Sequence, residues 1–180
     1  MTASPSTLAA ALQRVRCPRC GLPMTEDAGG VRCASGHRHR WRDGYLDFSE
    51  APIDATSART AQSFGYEWTA FDQINEEDAD YWRWYFQDVR LDDLAEAVAL
   101  DAGCGKGRYT VFTADHVAHL VALDASDAVQ VAARVLEPKP NTLVVRSDLR
   151  GAPFTDGAFD LVTCLGVLHH LADPEAGFRP

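Results

Sequence analysis

The segment Asp101-Ala-Gly-Cys-Gly-Lys-Gly107 gives the clearest indication of the fold of this chain. It follows the short apolar run 97–100, and the residues behind it predict a helix over 106–116. A buried strand, a glycine-rich turn and a helix form the first half of a βαβ unit. The alternating glycines let the backbone approach a ligand closely and present helix amide groups to it. The turn therefore predicts a ligand site at the carboxyl end of a buried strand.

Strand and helix signals continue to alternate downstream. Apolar runs over 119–123, 142–145 and 159–165 predict three more strands. A helix is predicted after the second strand, and another from Pro174, because Asp-Pro-Glu is typical of a helix start. The pattern indicates an α/β fold with a doubly wound, mostly parallel sheet. Ligands of such sheets bind beyond the carboxyl ends of the strands.

An acidic residue stands at the carboxyl end of each of the first three strands: Asp101, Asp124 and Asp148. A carboxylate beside the glycine turn would repel a pyrophosphate and attract an ammonium or sulfonium group. Asp124 can accept two hydrogen bonds from a ribose diol, and Asp148 can accept one from an adenine amino group. Together the three acids predict a site for a cationic adenosine compound.

On these residues the chain resembles the class I S-adenosylmethionine-dependent methyltransferases. The matching stretches are 99–108, 121–125, 147–149 and 159–170. Within that class the chain is most similar to the small-molecule enzymes of ubiquinone and menaquinone biosynthesis. The resemblance implies a Rossmann-like sheet of seven strands and S-adenosylmethionine as cofactor. It also implies three strands beyond the fourth, so with the chain ending at Pro180 we expect a truncated core with an incomplete acceptor pocket.

The resemblance also implies roles for individual residues. The glycine turn would border the methionine moiety, Asp124 would hold the ribose hydroxyls, and Asp148 with Leu149 would lie at the adenine. The backbone near Leu165 would meet the methionine end of the ligand. The residues assigned to the cofactor are Asp101, Gly103, Cys104, Gly105, Asp124, Ala125, Asp148, Leu149 and Leu165. Cys104 and Cys164 are interpreted as small packing residues rather than nucleophiles.

Near the N-terminus, Cys17, Cys20, Cys33 and His37 follow the spacing Cys-x2-Cys-x12-Cys-x3-His. Three thiolates and one imidazole complete the tetrahedral shell of a structural Zn²⁺ and leave no open position. A segment of about 35 residues builds little core, so the metal would supply most of its folding energy, of order 10 kcal/mol. His39 is a competing fourth ligand. This segment resembles the Cys3His zinc ribbon of the 23S rRNA guanine-N1 methyltransferases.

Charge is distributed unevenly along the chain, which has a formal net charge of −9. Residues 1–48 carry a net charge of +3 and the remainder −12. The acidic body argues against broad nucleic-acid binding there, whereas the basic segment leaves RNA contact open. No apolar run is long enough to span a membrane, and the N-terminus does not resemble a signal peptide. We therefore expect a cytoplasmic protein without membrane contact.

We divide the chain into a zinc ribbon over 1–48, a linker and aromatic-rich helical segment over 49–94, and an incomplete methyltransferase core over 95–180. Within the middle segment, residues 49–60 are interpreted as the linker because they mix small and polar residues with proline. A helix is predicted to follow and to end near Leu94.

The aromatic residues of the middle segment have two candidate roles. Tyr81, Trp84 and Tyr85 share one helix face by their i, i+3, i+4 spacing. We predict that Trp84 and Tyr85 pack into the core. Tyr66 and Trp68 are candidates for a lid over the ligand.

These features predict an S-adenosylmethionine-dependent methyltransferase that acts on a small molecule. One alternative is an rRNA guanine methyltransferase whose ribbon contacts RNA through Arg38, Arg40 and Arg42. Another is a non-catalytic fragment that binds the cofactor and a partner. His169 and His170 follow the fourth strand, where an imidazole can serve either as a base for the acceptor or as a residue of the helix start. No catalytic residue is assigned.

Overall fold

The structure is a computed structural model that describes residues 3–49 and 55–178, apart from the side chains of residues 55–57. The strands are β1 (Met24–Asp27), β2 (Gly30–Cys33), β3 (Arg38–Arg42), β4 (Tyr45–Asp47), β5 (Val98–Ala102), β6 (His119–Asp124), β7 (Thr142–Arg146) and β8 (Leu161–Thr163). Within the described residues they form one sheet in the order β1-β2-β3-β4-β7-β6-β5-β8. The pairs β1–β2, β2–β3 and β3–β4 are antiparallel, and every other pair is parallel.

The helices are α1 (Pro5–Leu12), α2 (Ala55–Ala70), α3 (Glu76–Tyr85), α4 (Thr110–Thr113), α5 (Val129–Val135) and α6 (Pro174–Phe178). Three 3₁₀ turns cover Leu91–Leu94, Leu149–Gly151 and Leu168–His170. In the described part of the chain, no helix has the length and apolar character needed to cross a membrane.

Both faces of the parallel part of the sheet are covered, as is expected of a doubly wound fold. Leu100, Val121 and Leu143 pack on one face in a cluster that includes Ala11 of α1. Alternate residues such as Val144 point to the other face and meet Val129 of α5 and its neighbours. Because side chains alternate across a strand, apolar residues on both faces produce the continuous apolar runs seen in the sequence.

The antiparallel ribbon of β1–β4 joins the parallel sheet through β4. Tyr45 of β4 pairs with Val144 of β7 in parallel register, and this pairing continues through Asp47 and Arg146. The N-terminal segment also shares a hydrophobic cluster with β5, β6 and β7, to which it contributes Cys17, Met24, Val31, Cys33, Leu46 and Phe48. The boundary predicted at residue 48 thus separates two segments that share a sheet and a core.

Several predicted element boundaries differ from the structure. The helix predicted over 106–116 is reduced to Thr110–Thr113, because Gly107 adopts a positive φ of 83° and the turn continues beyond it. The predicted linker 49–60 is partly wrong, since α2 begins at Ala55; residues 50–54 lie outside the described part. The helix predicted to end near Leu94 ends at Tyr85 instead.

Helix α3 buries a different face from the predicted one. Trp84 and Tyr85 are 61% and 43% exposed, so their assignment to the core is wrong. The buried aromatic residues are Trp82 and Phe86, whose rings stack at 5.0 Å. The Trp82 Nε1–H donates to Thr113 Oγ1 over 2.9 Å. Aromatic residues crowd every side of this helix, so spacing alone does not identify the face that meets the core.

This correction predicts unequal effects for two similar substitutions. Trp82→Phe removes the buried indole N–H and its hydrogen bond, and it is expected to lower the free energy of unfolding by about 1–2 kcal/mol. Trp84→Phe changes an exposed ring and should stay within about 0.5 kcal/mol of the wild type. Urea denaturation of the two variants measures the difference, and equal losses would contradict the assignment of the buried face.

Candidate functional site

A single cavity lies at the carboxyl ends of β5, β6, β7 and β8. Its lining includes all nine residues predicted to bind the cofactor: Asp101, Gly103, Cys104, Gly105, Asp124, Ala125, Asp148, Leu149 and Leu165. Parallel strands place their carboxyl ends at one edge of the sheet, so residues far apart in sequence meet there. The cavity is closed on another side by Thr60, Ala61, Phe64 and Trp68 of α2.

Gly103 is held in a conformation that only glycine adopts without strain. Its φ is +84°, and a Cβ at this position would overlap the side chain of Val167 on the opposite wall. Its amide donates to the Leu123 carbonyl over 2.7 Å, which fixes the turn against β6. The glycine therefore brings the backbone of the turn close to both walls of the cavity.

Asp124 connects two turns at the bottom of the site. Its Oδ2 accepts a hydrogen bond from the Gly105 amide at 2.9 Å. Its Oδ1 accepts from the Ser126 amide at 2.8 Å and from the Ser126 hydroxyl at 2.6 Å. An ionised carboxylate has about four acceptor sites, so capacity for a further donor remains.

Asp101 is the most deeply buried acid of the site. Its carboxylate accepts hydrogen bonds from Thr110 Oγ1 at 2.6 Å and from Thr163 Oγ1 at 3.0 Å. Burial raises the pKa of this carboxyl, and the nearby charge of Asp124 adds to the effect. Lys106 and Arg108 also line the cavity, but their cationic groups contact the carbonyls of Phe71 and Gln73 and the carboxylate of Asp78. The two acids of the turns therefore favour a cationic ligand beside them.

Asp148 has a structural role at the edge of the cavity. It caps the 3₁₀ turn Leu149–Gly151 by accepting from the Arg150 amide at 2.8 Å. The Arg150 guanidinium also donates to both carboxylate oxygens, at 3.1 and 2.8 Å. The carboxylate is thereby held at the cavity edge, and its assignment to the adenine amino group stays a prediction.

The two downstream cysteines fit the packing interpretation. Cys104 is buried, and burial raises the pKa of its thiol well above the ordinary value. Burial likewise raises the pKa of the half-buried Cys164. Both thiols are therefore protonated near neutral pH and are poor nucleophiles.

The two residues proposed as a lid, Tyr66 and Trp68, have different surroundings. Trp68 lines the cavity, whereas Tyr66 is 78% exposed and its assignment to a lid is wrong. Residues two apart on a helix point in nearly opposite directions, so only one of them can face the site.

Of the two histidines after β8, His170 lines the cavity, with its ring 4.7 Å from that of Phe64. Burial and the neighbouring His169 lower the pKa of His170.

The four predicted metal ligands converge in the N-terminal ribbon. The ligand atoms of Cys17, Cys20, Cys33 and His37 all lie within 4.8 Å of one another. His37 Nδ1 is 3.4 Å from Cys17 Sγ and 3.6 Å from Cys33 Sγ. His39, the competing candidate, is outside this cluster, and its ring packs 4.5 Å from that of Phe48.

The basic strand β3 is partly neutralised by neighbouring carboxylates. Arg38 Nε lies 3.1 Å from Asp27 Oδ2, and Arg42 Nε lies 2.7 Å from Asp47 Oδ2. These pairs reduce the positive potential that RNA contact through this strand would require.

Comparison with known proteins agrees with the geometry of the site. Residues 100–179 match the family model of a methyltransferase domain. An uncharacterised protein of Synechococcus is 31% identical over 112 residues, which cover 53% of this chain and 26% of that protein. A ubiquinone biosynthesis O-methyltransferase of Xanthomonas oryzae is 36% identical over 100 residues, covering 51% of this chain and 42% of that enzyme. The chain thus spans less than half the length of these relatives.

A solved structure supports the same fold. A Methanococcus maripaludis protein described as an S-adenosyl-L-methionine-dependent methyltransferase superposes with a TM-score of 0.51 at 16% identity, covering 72% of this chain and 59% of that one. This likeness extends to the fold alone. The match over 100–179 shows that this part of the chain is similar to a methyltransferase domain.

Proposed function

We propose that the chain binds S-adenosylmethionine in the cavity at the strand ends and transfers its methyl group to a small-molecule acceptor. The observation that carries the proposal is the lining of that cavity. It combines a glycine turn, two carboxylates at one end and an apolar and aromatic wall from α2. The carboxylates suit the positive charges of the ligand, and Asp124 has acceptor capacity left for ribose hydroxyls.

Methyl transfer requires acid–base chemistry only where the acceptor atom carries a proton, and a hydroxyl acceptor must lose its proton to a base or to water as it is methylated. The cofactor supplies an activated methyl group: a lone pair of the acceptor forms a bond to the methyl carbon as the carbon–sulfur bond breaks. The electron pair of the broken bond stays on sulfur, which becomes a neutral thioether. The protein's contribution is to align the acceptor atom opposite the sulfur and to exclude water, and such alignment supplies much of the rate enhancement.

An oxygen atom of a small molecule is the proposed acceptor. The Xanthomonas oryzae relative is named for O-methylation in ubiquinone biosynthesis. The wall of Phe64 and Trp68 offers flat apolar surface on which an aromatic acceptor can stack. The ion pairs of Arg38 and Arg42 make the basic ribbon a weaker surface for RNA.

Titration calorimetry with S-adenosylmethionine tests the first half of the proposal. We expect one ligand to bind per chain, and S-adenosylhomocysteine to compete for the same site. Transfer of a labelled methyl group is then measured with a panel of phenols and, separately, with rRNA at two salt concentrations. Absence of cofactor binding would overturn the proposal. Transfer to RNA alone would replace the small-molecule acceptor with the RNA alternative.

We also propose that Cys17, Cys20, Cys33 and His37 hold a structural Zn²⁺. Tetrahedral zinc with bonds of about 2.3 Å to sulfur and 2.0–2.1 Å to nitrogen separates neighbouring ligand atoms by about 3.5–3.8 Å. The Cys20 and Cys33 sulfurs are 3.6 Å apart, and the sulfur–nitrogen distances agree equally well. Four protein ligands leave no open position, so the role of the ion is to hold the ribbon together.

The ionisation of Asp101 should make both the stability of the free protein and the affinity for the cofactor depend on pH. Its carboxyl pKa is raised above the ordinary 3.8 by burial. Ionisation of this group therefore lowers the stability of the free protein as pH rises from 3.8 through the raised pKa. A bound cation favours the ionised form, so the affinity for S-adenosylmethionine should fall as pH falls through the same interval, and binding there should release protons.

Calorimetry in two buffers of different ionisation enthalpy measures that proton release. The Asp101→Asn variant serves as the control, because it cannot ionise at this position and should bind the cofactor without the additional release. Identical proton release by the variant and the wild type would show that another group is responsible.

A further inference from the structure

Lys106 is a basic residue inside the glycine turn, and its ammonium group binds backbone carbonyl oxygens. A lysine in such a turn ordinarily suggests contact with a bound anion. Here the residue is buried, and its Nζ donates to the carbonyl oxygens of Phe71 at 2.9 Å and Gln73 at 2.7 Å. Phe71 is the first residue after Ala70, which ends α2, and Gln73 is the third. The lysine thus ties the end of α2 to the turn.

The contact is favourable for two physical reasons. The last carbonyl groups of a helix and those just beyond it lack partners within the helix, so they need donors from elsewhere. A positive charge at the C-terminal end of a helix also interacts favourably with the helix dipole. Hydrogen bonds from a charged donor are stronger than those between neutral groups. The position of the end of α2 therefore depends on Lys106.

Helix α2 supplies the aromatic wall of the cavity near this contact. The Trp68 indole lies against Gly105, where an added Cβ would be 3.2 Å from Nε1. The Lys106 Nζ is 5.1 Å from the centre of the same ring, and the Arg108 guanidinium carbon is 5.4 Å from it. The ring of Phe64 stacks with that of Trp68 at 6.5 Å. One lysine thus contacts both the helix end and the wall that the helix presents.

We propose that Lys106 is a positioning residue that holds the Trp68 wall over the cofactor turn and thereby slows the release of S-adenosylmethionine. The inference rests on the proposed function. Groups that close over a bound ligand have to move before it leaves, so loosening them raises the dissociation rate. The association rate changes less, because affinity differences between closely related variants lie mostly in dissociation.

Stopped-flow measurement of S-adenosylmethionine dissociation tests this proposal. Lys106→Met keeps the apolar stem and removes the charge, and it should release the cofactor about 10-fold faster. The chain offers a matched control because it has one other lysine. Lys139 pairs with Asp115 at the surface, and Lys139→Met should dissociate at the wild-type rate. Equal rates for wild type and Lys106→Met would overturn the proposal.

A spectroscopic measurement on the ligand-free protein tests whether Lys106 positions Trp68. The chain has four tryptophans, so 5-fluorotryptophan labelling gives four fluorine resonances, and Trp68→Phe identifies that of Trp68. Lys106→Met should move this resonance towards the position of an exposed indole, and Lys106→Arg, which can donate to both carbonyls, should restore it. A lower melting temperature with an unmoved Trp68 resonance would mean a merely structural role and would refute the proposal.

The two readouts separate this inference from the proposed function. If wild-type protein does not bind the cofactor, the proposed function fails, while the fluorine spectrum still decides whether Lys106 positions Trp68. If wild type binds but Lys106→Met releases the cofactor no faster, the positioning role alone fails. Should Lys106→Met not fold, Lys106→Gln is measured with the same expectations, because its amide is uncharged and ends one bond short of the position of Nζ.

Discussion

Replacing Asp124 with alanine should weaken S-adenosylmethionine binding by at least about 100-fold, equivalent to about 2.7 kcal/mol. The side chain has two tasks that no neighbouring residue shares. It anchors the Gly105 amide and both donors of Ser126, so it fixes the turns after β5 and β6 relative to each other. It also offers the charged acceptor proposed for the ribose hydroxyls. Hydrogen bonds to charged groups contribute about 1.5–3 kcal/mol each, so losing two of them amounts to at least about 3 kcal/mol, which is slightly more than a 100-fold effect.

Asp127 provides a control of the same residue type in the same loop. Its carboxylate is 60% exposed and pairs with Arg146 at 3.0 Å, and it is not among the residues that line the cavity. Asp127→Ala should therefore bind the cofactor within about threefold of wild type, since exposed pairs contribute about 1 kcal/mol or less. Calorimetry on both variants measures the contrast. Equal affinities for Asp124→Ala and Asp127→Ala would remove the electrostatic basis of the proposed site.

Removing the proposed zinc ion from the ribbon should have the largest effect on stability. Zinc contributes of order 10 kcal/mol to the folding of small zinc modules. That amount is comparable to the total stability of a typical domain, about 5–15 kcal/mol. Because β4 pairs with β7 and the ribbon shares a core with the parallel strands, the loss should reach the cofactor site. We expect Cys33→Ser to contain no zinc and to bind S-adenosylmethionine poorly.

Cys164→Ser is the matched control for this experiment. Cys164 is half-buried and lies outside the metal cluster, so its variant should keep one zinc ion per chain. Metal analysis and thermal unfolding are measured on both variants and on chelator-treated wild type. Unchanged metal content in Cys33→Ser would disprove the zinc site. A metal-free ribbon that melts separately while cofactor binding persists would disprove its coupling to the core.

Local signals in the sequence predicted the parts of the site that depend on short stretches of chain. The strand signals from residue 97 onward correspond to β5–β8, because apolar runs of buried strands are continuous and bounded by turns. The residues assigned to the cofactor meet at one cavity, since parallel strands with crossover connections align their carboxyl ends. The three cysteines and the histidine predicted to hold zinc also converge in the N-terminal ribbon.

Other features depended on contacts between distant residues, which no local pattern specifies. The buried face of α3 is set by Trp82 meeting Thr113, although other aromatic residues of that helix looked equally suitable. The choice of His37 over His39 follows from β3, where the His39 side chain points towards Phe48. Helix α2 forms one wall of the cavity; the sequence indicated Tyr66 and Trp68 for this role, and of the two only Trp68 lines the cavity.

The glycine turn, the order of the strands along the chain, the residues predicted to bind the cofactor and the Cys-x2-Cys-x12-Cys pattern could all be identified from the sequence alone. Each of these lies within a few residues or follows from the rules of parallel α/β sheets. The pairing of β4 with β7 and the hydrogen bonds from Lys106 to the carbonyls after α2 became visible only in the folded chain. Backbone hydrogen-bonding groups are alike in every residue except proline. Which strand edge or helix end they meet is therefore decided by the packing of the whole chain.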